Sequence, residues 1–386
     1  MFLYSAFDVL KRINNHSIAI VGAGKSGTEL VEFLLFNGIT VDCFFDNNPF
    51  LWKKHNHGVP IVEMEKIEGI KYVISTGASY RKELVKQLSE LNINGDDIII
   101  YYPTPHDRDF IVNYGRAGLE NAISQLFRNT FGFDMDWDEP KTYNEKINWE
   151  KARVSDERMT MCADKYKVRD YVKEMIGEEY LTKIYGHWSK PEEIDYSILP
   201  KSFALKLNNG SARNILIRDK NSINERIIRD TFRNWMSIEW AFTSFEMHYK
   251  DIQPVIYCEE LLDGAEEEGF CDYKVFCFNG EVKFIQRIRF EHTERAVGLF
   301  YDKQWNRQPF NQYYADDKEV EKPEFINEMI INSEKLARNF KHVRVDWFVT
   351  AQGKVYFGEM TFANWSGLER FSPEDYDRIL GDMIQL

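Results

Sequence analysis

Short apolar runs alternate with amphipathic helical stretches over the first hundred residues of the chain. The run at 17–21 is continuously apolar, as expected of a buried parallel strand, and the stretch after it has the spacing of a helix that ends near Gly38. Four further segments repeat this alternation. The pattern predicts a small α/β domain with strands at 17–21, 40–45, 71–75 and 97–101 and helices at 28–37 and 80–91.

A glycine-rich turn follows the first strand directly and reads Gly22-Ala23-Gly24-Lys25-Ser26-Gly27. In the order strand, G-x-G-x-x-G, helix, such a turn lets a diphosphate approach the N-terminus of the helix. Asp46, after the next strand, is in the position that accepts hydrogen bonds from ribose hydroxyls. A scaffold domain that keeps the turn for packing alone is the alternative. The candidate ligand-binding residues are Gly22, Gly24, Lys25, Ser26, Gly27 and Asp46.

The same region resembles the nucleotide-sugar-binding N-terminal domain of the sugar acetyltransferases of surface-glycan pathways. The similarity lies in the segments 21–24, 45–49, 58–61 and 74–77. It implies a Rossmann-like fold and a nucleotide sugar as the ligand of the glycine turn. A dehydrogenase is a weaker interpretation, because no recognisable proton donor accompanies the turn.

The periodic pattern breaks at Pro103-Thr104-Pro105, which marks a domain edge. Further on, Thr142 is followed three residues later by Glu145, the signature of a helix with a capping box. Another helix is expected to run from Met161 toward Gly177. The chain is therefore expected to divide into an α/β domain over 1–103, a linker and helix over 104–140, and a second domain over 141–386.

Two lysines lie inside otherwise apolar strands of the second domain. Lys206 is in the stretch 203–217, which reads as strand, small polar loop, strand, and Lys274 is in the strand 272–278. A buried ammonium group is costly unless it meets an anion, although a single strand lysine often extends along the surface to reach water. A small polar loop follows the first of these strands. Its backbone and hydroxyl donors suit a flap over phosphates, and it consists of Asn209, Gly210 and Ser211.

The last β-hairpin of the chain carries two acidic residues that are expected to face each other. Asp346 and Glu359 lie on either side of a turn at Gly353, among alternating β-branched and aromatic residues. Neighbouring carboxylates repel each other unless a cation lies between them, and Mg²⁺ characteristically binds one or two carboxylates together with nucleotide phosphates. Arg344 points to the same face and suits a phosphoryl group or a carboxylate. Solvated or lysine-paired carboxylates are the alternative.

Composition narrows the class of protein further. The formal net charge of −13 argues against broad nucleic-acid binding, which needs a basic surface, but it permits a local cationic pocket. The five cysteines form no C-x-x-C pair, so neither a disulfide framework nor a zinc site is expected. The N-terminus does not read as a signal peptide. We expect a cytoplasmic protein with at most peripheral membrane contact, and the oligomeric state, a homo-oligomer included, stays open.

The second domain resembles the ATP-grasp superfamily. The resemblance rests on Lys165 in Asp-Lys-x-x-x-Arg, Lys206 before the small loop, Glu259-Glu260-x-Leu262, Lys274, Arg344-x-Asp346 and Glu359-x-Thr361, in that order. Over residues 142–381 the chain is similar to the teichuronopeptide-biosynthesis type of ATP-grasp protein. The resemblance implies an α+β ATP-grasp domain after the α/β Rossmann-like domain, with ATP and Mg²⁺ as cofactors.

The resemblance also implies roles for individual residues. Asp346 and Glu359 hold Mg²⁺, and Thr361 stands where the superfamily commonly has Asn, for which Asn364 is a nearby substitute. Glu259, Glu260 and Leu262 lie at the adenine and ribose. The phosphates are contacted by Lys165 and Lys206, with Lys274 beside them and the loop Asn209, Gly210 and Ser211 above them. The implied catalytic residues are Arg344, Lys206 and Lys274.

These observations indicate an ATP-dependent carboxylate–amine ligase that forms an acyl phosphate and modifies a uronic acid or other sugar carboxylate in capsule or cell-surface polysaccharide synthesis. The expected partners are small-molecule or nucleotide-sugar substrates and an amine donor. Arg287, Arg289 and His292 are candidates for binding an anionic acceptor, unless they only balance Glu291 and Glu294. The alternatives are a glycan or sugar kinase that uses the same cleft and a non-catalytic nucleotide-sugar-binding protein.

Overall fold

The computed structural model describes residues 3–4, 9, 12–13, 16–36, 38–76, 78–101, 108–262, 270–291, 293 and 295–386. The chain forms two compact units, Met1–Asn113 and Tyr114–Leu386. Among the described helices, none combines the length and hydrophobicity that a membrane crossing requires. All five cysteines are free and buried.

A seven-stranded sheet forms the centre of the first unit. Its strands are β1 (Leu3–Tyr4), β2 (Ser17–Val21), β3 (Val41–Phe45), β4 (His55–Asn56), β5 (Val59–Val62), β6 (Ile70–Ile74) and β7 (Ile98–Tyr101), and its helices are α1 (Lys25–Phe36) and α2 (Ala78–Glu90). The strand order is β1-β7-β6-β2-β3-β5-β4. All neighbouring strands run parallel except β4 and β5. The predicted strands and helices are confirmed to within a few residues.

Burial on both faces explains the continuous apolar run of β2. Ile18 and Ile20 pack with Leu30 of α1 in one core, whereas Ala19 and Val21 pack with Leu88 of α2 in another. A strand covered on both faces has no exposed side on which polar residues are favourable. The sequence of β2 therefore follows from its central position in a parallel sheet.

The second unit combines helices with antiparallel sheets. Its helices are α3 (Arg108–Phe131), α4 (Tyr143–Arg153), α5 (Glu157–Ala163), α6 (Val168–Ile176), α7 (Glu225–Ser237), α8 (Ile326–Ala337) and α9 (Asp375–Gly381). The boundary between the units falls within α3, which breaks at Gly115 with φ of 56°. Its strands are β8 (Ile184–Trp188), β9 (Phe203–Leu207), β10 (Asn214–Ile217), β11 (Ile256–Glu259), β12 (Cys271–Phe278), β13 (Glu281–Arg289), β14 (Val297–Asp302), β15 (Asn311–Gln312), β16 (Ala315–Asp316), β17 (His342–Val349), β18 (Val355–Thr361) and β19 (Phe371–Ser372).

Two sheets carry most of this unit. A four-stranded sheet has the order β10-β9-β11-β8, and a six-stranded sheet has the order β16-β14-β13-β12-β17-β18. Both are antiparallel apart from the pair β14 and β16. The predicted hairpins are present: β12 and β13 turn at Asn279 and Gly280, both with positive φ, as a two-residue turn of this type requires.

Each sheet packs one face against helices. In the four-stranded sheet, Phe203, Leu205 and Leu207 of β9 pack with Phe232 of α7. In the six-stranded sheet, one face of β12 and β17 packs against α8 in the main core of the unit. Because side chains alternate along a strand, the residues between these core positions point to the opposite faces, where the polar residues of the candidate site lie.

The predicted capping box at the start of α4 is confirmed. The Thr142 side chain accepts a hydrogen bond from the Glu145 N–H at 3.2 Å, and Glu145 accepts one from the Thr142 N–H at 2.8 Å. The helix expected from Met161 to Gly177 is wrong as a single element. It is divided into α5 and α6, because Asp164 Oδ1 accepts hydrogen bonds from the N–H groups of Tyr166 and Lys167 at 3.0 Å each and so stabilises a turn.

Candidate active site

A cleft that is open to solvent lies between residues of the two sheets of the second unit. The four-stranded sheet contributes one polar face to it, and the residues from the six-stranded sheet include Asp272 of β12 and Gly358 of β18. Apolar side chains line part of the wall, among them Leu216, Phe270 and Phe348. The cleft therefore joins an apolar slot to a strongly charged region.

The four-stranded sheet presents Lys206, Tyr257 and Glu259 on the same face. Lys206 is directly opposite Tyr257 in the register of β9 and β11, and Ala204 is opposite Glu259. All four residues line the cleft. Strand alternation thus explains why Lys206 interrupts the apolar sequence of β9: its neighbours face the core, whereas Lys206 faces the cleft.

Glu259 is buried and lies among several donors. Its carboxylate forms an ion pair with Lys206 and a 3.5 Å contact with Arg169 Nη1, and it accepts a hydrogen bond from Thr182 Oγ1 at 2.6 Å. Burial alone would raise the pKa of the Glu259 carboxyl, but Lys206, Thr182 and Arg169 outweigh burial and lower it. Glu259 therefore stays ionised and holds Lys206 at the wall of the cleft.

The six-stranded sheet places the acidic pair of the last hairpin side by side. Asp346 is directly opposite Glu359, and Arg344 is opposite Thr361, in the register of β17 and β18. Lys274 of β12 is opposite Asp346 on the other side. The predicted arrangement of Asp346, Glu359 and Arg344 on one face is confirmed by this register.

Each carboxylate of the pair is bound to a cation. Arg344 donates two hydrogen bonds to Asp346, from Nε at 2.7 Å and from Nη2 at 2.6 Å, a bidentate geometry that fixes both groups. Glu359 forms an ion pair with Lys165. Burial alone would raise the pKa of the Glu359 carboxyl, but Lys165 and Arg344 lower it to about 2. The Glu359 carboxylate thus remains charged although Asp346 lies directly opposite it.

Lys274 connects the pair to a second acidic group. Its Nζ lies 2.9 Å from Glu291 and 3.5 Å from Asp346. Burial alone would lower the pKa of the Lys274 ammonium, but Glu291 and Asp346 raise it. Burial and the nearby Glu291 raise the pKa of the Asp272 carboxyl well above its ordinary value. The charged region of the cleft therefore contains carboxylates in two different protonation environments.

The structure separates the two candidates for a third metal ligand. Thr361 Oγ1 donates a hydrogen bond to Glu359 at 3.1 Å and accepts one from Arg344 at 3.2 Å. Asn364 is buried, accepts a hydrogen bond from Arg344, and donates one to Gln312 at 2.8 Å. Because its hydroxyl contacts Glu359 directly, Thr361 is the better placed of the two.

The donor set fits Mg²⁺ supplied together with a substrate. Two carboxylates and a hydroxyl are oxygen ligands, which a hard cation prefers. Within the described residues, no group of three or more His, Cys, Asp or Glu side chains is arranged to hold a metal ion by itself. Mg²⁺ usually binds through one or two carboxylates, water and substrate phosphates rather than in an all-protein cage, and Asp346 with Glu359 supplies that number.

The predicted flap loop packs away from the cleft in this structure. Gly210 has φ of +86°, and an added Cβ would lie 2.7 Å from the Trp240 ring. The Arg213 guanidinium lies over the same ring at 4.6 Å, and burial lowers the pKa of Arg213 to about 10. Among the described residues that line the cleft, Asn209, Gly210 and Ser211 are not included.

Two of the predicted acceptor residues lie on the other face of the six-stranded sheet. Arg287 is directly opposite Tyr273 in the register of β12 and β13, so it points away from the face that carries Lys274. Arg287 donates a 2.9 Å hydrogen bond to Asp317, and Arg289 also binds Asp317. The structure therefore does not bring Arg287 and Arg289 to the cleft. His292 lies outside the described residues.

The glycine turn of the first unit is partly explained by packing. An added Cβ on Gly27 would lie 2.0 Å from the Gly22 carbonyl oxygen, whereas one on Gly24 would meet nothing within 4 Å. Asp46 accepts hydrogen bonds from the N–H groups of Ala23 and Asn48, at 2.9 Å each. Lys25 and Ser26 begin α1. Internal packing thus accounts for Gly27 but gives no reason for Gly24.

Sequence reasoning missed several residues of the cleft. Asp272 had a usable signal, because it lies two residues before Lys274 in the same strand and must share its face. Thr182 had none, since its partner Glu259 is 77 positions away. Glu260 and Leu262 line the cleft together with Lys165 and Lys206.

The family described as TupA-like ATPgrasp matches residues 145–385. The chain belongs to this family. This confirms the prediction of an ATP-grasp enzyme, and ATP and Mg²⁺ are the cofactors expected of it. No curated protein matches the chain.

Solved structures of ATP-grasp proteins are distantly similar. The ligase PsnB, complexed with a minimal precursor, Mg and ADP, is 12% identical over 90% of this chain and 89% of its own, with a TM-score of 0.34. D-alanine–D-alanine ligase from Bacillus anthracis, complexed with ATP, is 12% identical over 90% of this chain and 86% of its own, with a TM-score of 0.32. The assignment of this ATP-grasp protein rests on the family match.

Proposed function

We propose that the chain is an ADP-forming carboxylate–amine ligase, which joins an amine to a uronic acid or other sugar carboxylate during synthesis of a cell-surface polysaccharide. The observation that carries the proposal is the placement of four cations in and beside one cleft, each bound to a carboxylate. Lys165 and Lys206 line the cleft, and Lys274 and Arg344 lie on the same face of the six-stranded sheet as Asp272, which also lines it. The four cations come from separate parts of the chain and are held by acidic side chains. The oxygens of a bound triphosphate can replace these carboxylates as partners of the cations.

The residues divide the binding of ATP between the two sheets. Lys165 and Lys206 are assigned to the phosphates, because their ammonium groups lie at the charged part of the cleft and are held by Glu359 and Glu259. The segment from Glu259 to Leu262 is assigned to adenine and ribose, beside the apolar side chains of Leu216 and Phe348. The Asn209–Ser211 loop would have to leave Trp240 to cover the phosphates.

Asp346 and Glu359 are assigned to Mg²⁺, with the Thr361 hydroxyl beside them. When bound, Mg²⁺ supplies positive charge to the phosphate oxygens. Arg344 and Lys274 offset the negative charge of the carboxylates on the same face of the sheet, which makes the approach of a substrate carboxylate to the γ-phosphate less unfavourable.

The reaction proceeds in two steps. A substrate carboxylate oxygen forms a bond to the γ-phosphorus as the bond to the bridging oxygen of ADP breaks. The amine nitrogen then forms a bond to the acyl carbon, phosphate leaves with the electron pair of the C–O bond, and the nitrogen loses a proton. Because an acyl phosphate hydrolyses readily, the cleft must exclude water between the steps.

The first unit is proposed to be a Rossmann-like domain that binds a nucleotide sugar. Its strand order places β2 and its glycine turn in the middle of a parallel sheet, where ligands of such sheets bind at the carboxyl ends of the strands. Gly24 supports this proposal, because its lack of a side chain has no internal reason. Lys25, Ser26 and Asp46 complete the proposed site.

Hydroxylamine trapping tests the ligase without knowledge of the natural amine. Purified protein with Mg²⁺, ATP, glucuronate or UDP-glucuronate, and hydroxylamine is expected to release ADP and yield a hydroxamate, detected by mass spectrometry. A phosphorylated sugar without hydroxamate would instead establish phosphotransfer to a hydroxyl and contradict the proposal. Asp346→Asn, assayed in parallel, excludes a contaminating enzyme as the source of the signal.

A further inference from the structure

Three aromatic residues form a cluster beside the charged region of the cleft. Tyr313 and Trp365 have ring centroids 4.4 Å apart with an interplanar angle of 34°, and Tyr314 lies edge-on to Tyr313 at 5.0 Å. Tyr313 is 65% exposed and Trp365 is 38% exposed. Large aromatic side chains are usually buried, so two adjacent exposed rings call for an explanation. We name Tyr313, Tyr314 and Trp365 the aromatic platform.

The backbone holds the platform in an unfavourable conformation. Tyr313 has φ of 67°, and Trp365 and Ser366 have φ of 47° and 56°. Positive φ is a genuine outlier for bulky residues, and such conformations persist where the surrounding structure enforces them, often at functional sites. Packing alone would not require an exposed ring to be presented in this way.

Hydrogen bonds from α4 make the platform rigid. The Ser366 carbonyl accepts a hydrogen bond from Lys151 Nζ at 2.8 Å, and the Gly367 carbonyl accepts one from Asn148 at 2.7 Å. The Ser366 hydroxyl donates to Glu246 at 2.6 Å. A binding surface that is already ordered loses little conformational entropy when a ligand arrives.

The platform is joined to the candidate site through its neighbours in sequence. Asn364, immediately before Trp365, accepts a hydrogen bond from Arg344. Tyr314, immediately after Tyr313, donates a hydrogen bond to Glu291 at 2.9 Å, and Glu291 lines the cleft. Tyr314 therefore contacts a residue of the cleft directly, and Trp365 follows a residue that is bound to Arg344.

We infer that the platform binds a pyranose ring of the acceptor saccharide, an inference that rests on the proposed function. One face of a pyranose carries axial C–H bonds with slight positive charge, which are attracted to the negative face of an aromatic ring. The hydroxyl groups at the edge of the sugar stay free to bond to water or polar side chains. Two adjacent rings match a sugar in size, whereas a membrane surface needs a much wider apolar area.

Binding to a defined tetrasaccharide that contains glucuronate tests the inference without turnover. We expect Tyr313→Ala and Trp365→Ala each to raise its dissociation constant about five- to tenfold, as loss of one aromatic contact does. ADP·Mg²⁺ should raise the melting temperature of wild type and variants equally, which also checks folding. Phe133→Ala is the matched control, because Phe133 is an exposed aromatic that packs on Phe127 and Phe131, a cluster separate from the platform.

The outcomes separate this inference from the proposed function. Unchanged tetrasaccharide affinity in both variants, no binding by wild type, or preferential binding of a tryptophan-containing peptide would overturn the platform as a saccharide site. Saccharide binding that depends on the platform, without hydroxamate formation, would support the platform and contradict the ligase. If Trp365→Ala does not fold, Tyr313→Ala decides the question, because the Tyr313 side chain is largely exposed.

Discussion

Asp346 and Glu359 lie directly opposite each other on β17 and β18, yet they are bound to different cations, Arg344 and Lys165. Lys165 is in the turn between α5 and α6, so the pair draws together segments almost two hundred residues apart. Two like charges directly opposite each other on neighbouring strands are unfavourable unless cations compensate them. The same compensation keeps Glu359 ionised, which a metal ligand requires.

Neutralising either carboxylate should abolish most of the activity. Asp346→Asn and Glu359→Gln keep the shape of the side chain but remove a charge assigned to Mg²⁺. Loss of one preorganised electrostatic contact typically lowers kcat by about a hundredfold to a thousandfold, and we expect a decrease of at least that size in ADP release. The measurement is a coupled ADP assay at saturating ATP, repeated over a range of Mg²⁺ concentrations.

Glu319→Gln is the matched control for these variants. Glu319 also forms an ion pair, with Arg307 at 3.2 Å, but its side chain is exposed. Such pairs contribute little to stability, so activity should equal that of wild type. Activity retained by both Asp346→Asn and Glu359→Gln would contradict the assignment of the site.

Glu359 should also make stability depend on pH in the acid range. Lys165 and Arg344 lower the pKa of Glu359 to about 2, below its ordinary value of 4.5, despite burial. Its contribution to stability is therefore fully present above pH 4.5 and is lost as pH falls through 2. Allowing for the 30% exposure of its side chain, we expect about 1–3 kcal/mol.

Comparison with Glu359→Gln isolates this contribution. The variant lacks the titrating group, so the difference in free energy of unfolding between wild type and variant should be constant at neutral pH. It should shrink as the pH falls from 4.5 toward 2, as measured by urea denaturation. A difference that stays constant throughout this range would show that the pKa of Glu359 is not lowered by folding.

Much of the fold follows from local sequence patterns. A continuous apolar run predicts β2 with its bounds, and alternating residues predict the hairpin that contains β17, because burial on one or both faces imposes those patterns directly. The helix predicted from Met161 to Gly177 failed because its residues have helical spacing on both sides of Asp164. The hydrogen bonds of a single side chain decided the outcome there.

The site was predictable only where spacing fixes orientation. Asp346 and Glu359 share a short hairpin, so their register could be inferred from the turn between them. Arg287 and Lys274 also lie in one hairpin, but they are on opposite faces because they differ by one position in register. The contact between Thr182 and Glu259 depends on how β8 and β11 pair, which no local pattern specifies.

The same substitution at two glycines of the first unit should affect stability at one position and not at the other. Gly27→Ala would bring a Cβ to within 2.0 Å of the Gly22 carbonyl oxygen, so we expect a loss of about 1–3 kcal/mol or more in the free energy of unfolding. Gly24→Ala meets open space and should leave stability unchanged. If a nucleotide sugar approaches this turn, however, Gly24→Ala should weaken binding of UDP-glucuronate about tenfold, a cost of ~1.4 kcal/mol.

Calorimetric titration of UDP-glucuronate into the Gly24→Ala variant measures that effect, and thermal unfolding confirms that the variant is folded. Gly95→Ala is a suitable control, since an added Cβ there also meets nothing within 4 Å and Gly95 lies outside the turn. Equal affinity for wild type and Gly24→Ala would leave the turn with a packing role only. Equal stability of Gly27→Ala and wild type would contradict the packing explanation.

Lys274 and Arg287 provide a test of the two faces of the six-stranded sheet. Both are basic, both lie in the hairpin of β12 and β13, and both bind carboxylates. Lys274→Gln removes the cation between Glu291 and Asp346, and we expect ADP release to fall by about a hundredfold. Arg287→Gln leaves Asp317 with Arg289 as a partner, so it should lower stability while the activity of the folded protein is unchanged.

Kinetics at a temperature where each variant is fully folded, with unfolding followed separately, distinguishes the two effects. A loss of activity in Arg287→Gln equal to that in Lys274→Gln would indicate that Arg287 acts at the acceptor site. It would contradict the conclusion from strand register that Arg287 and Lys274 lie on opposite faces of the sheet.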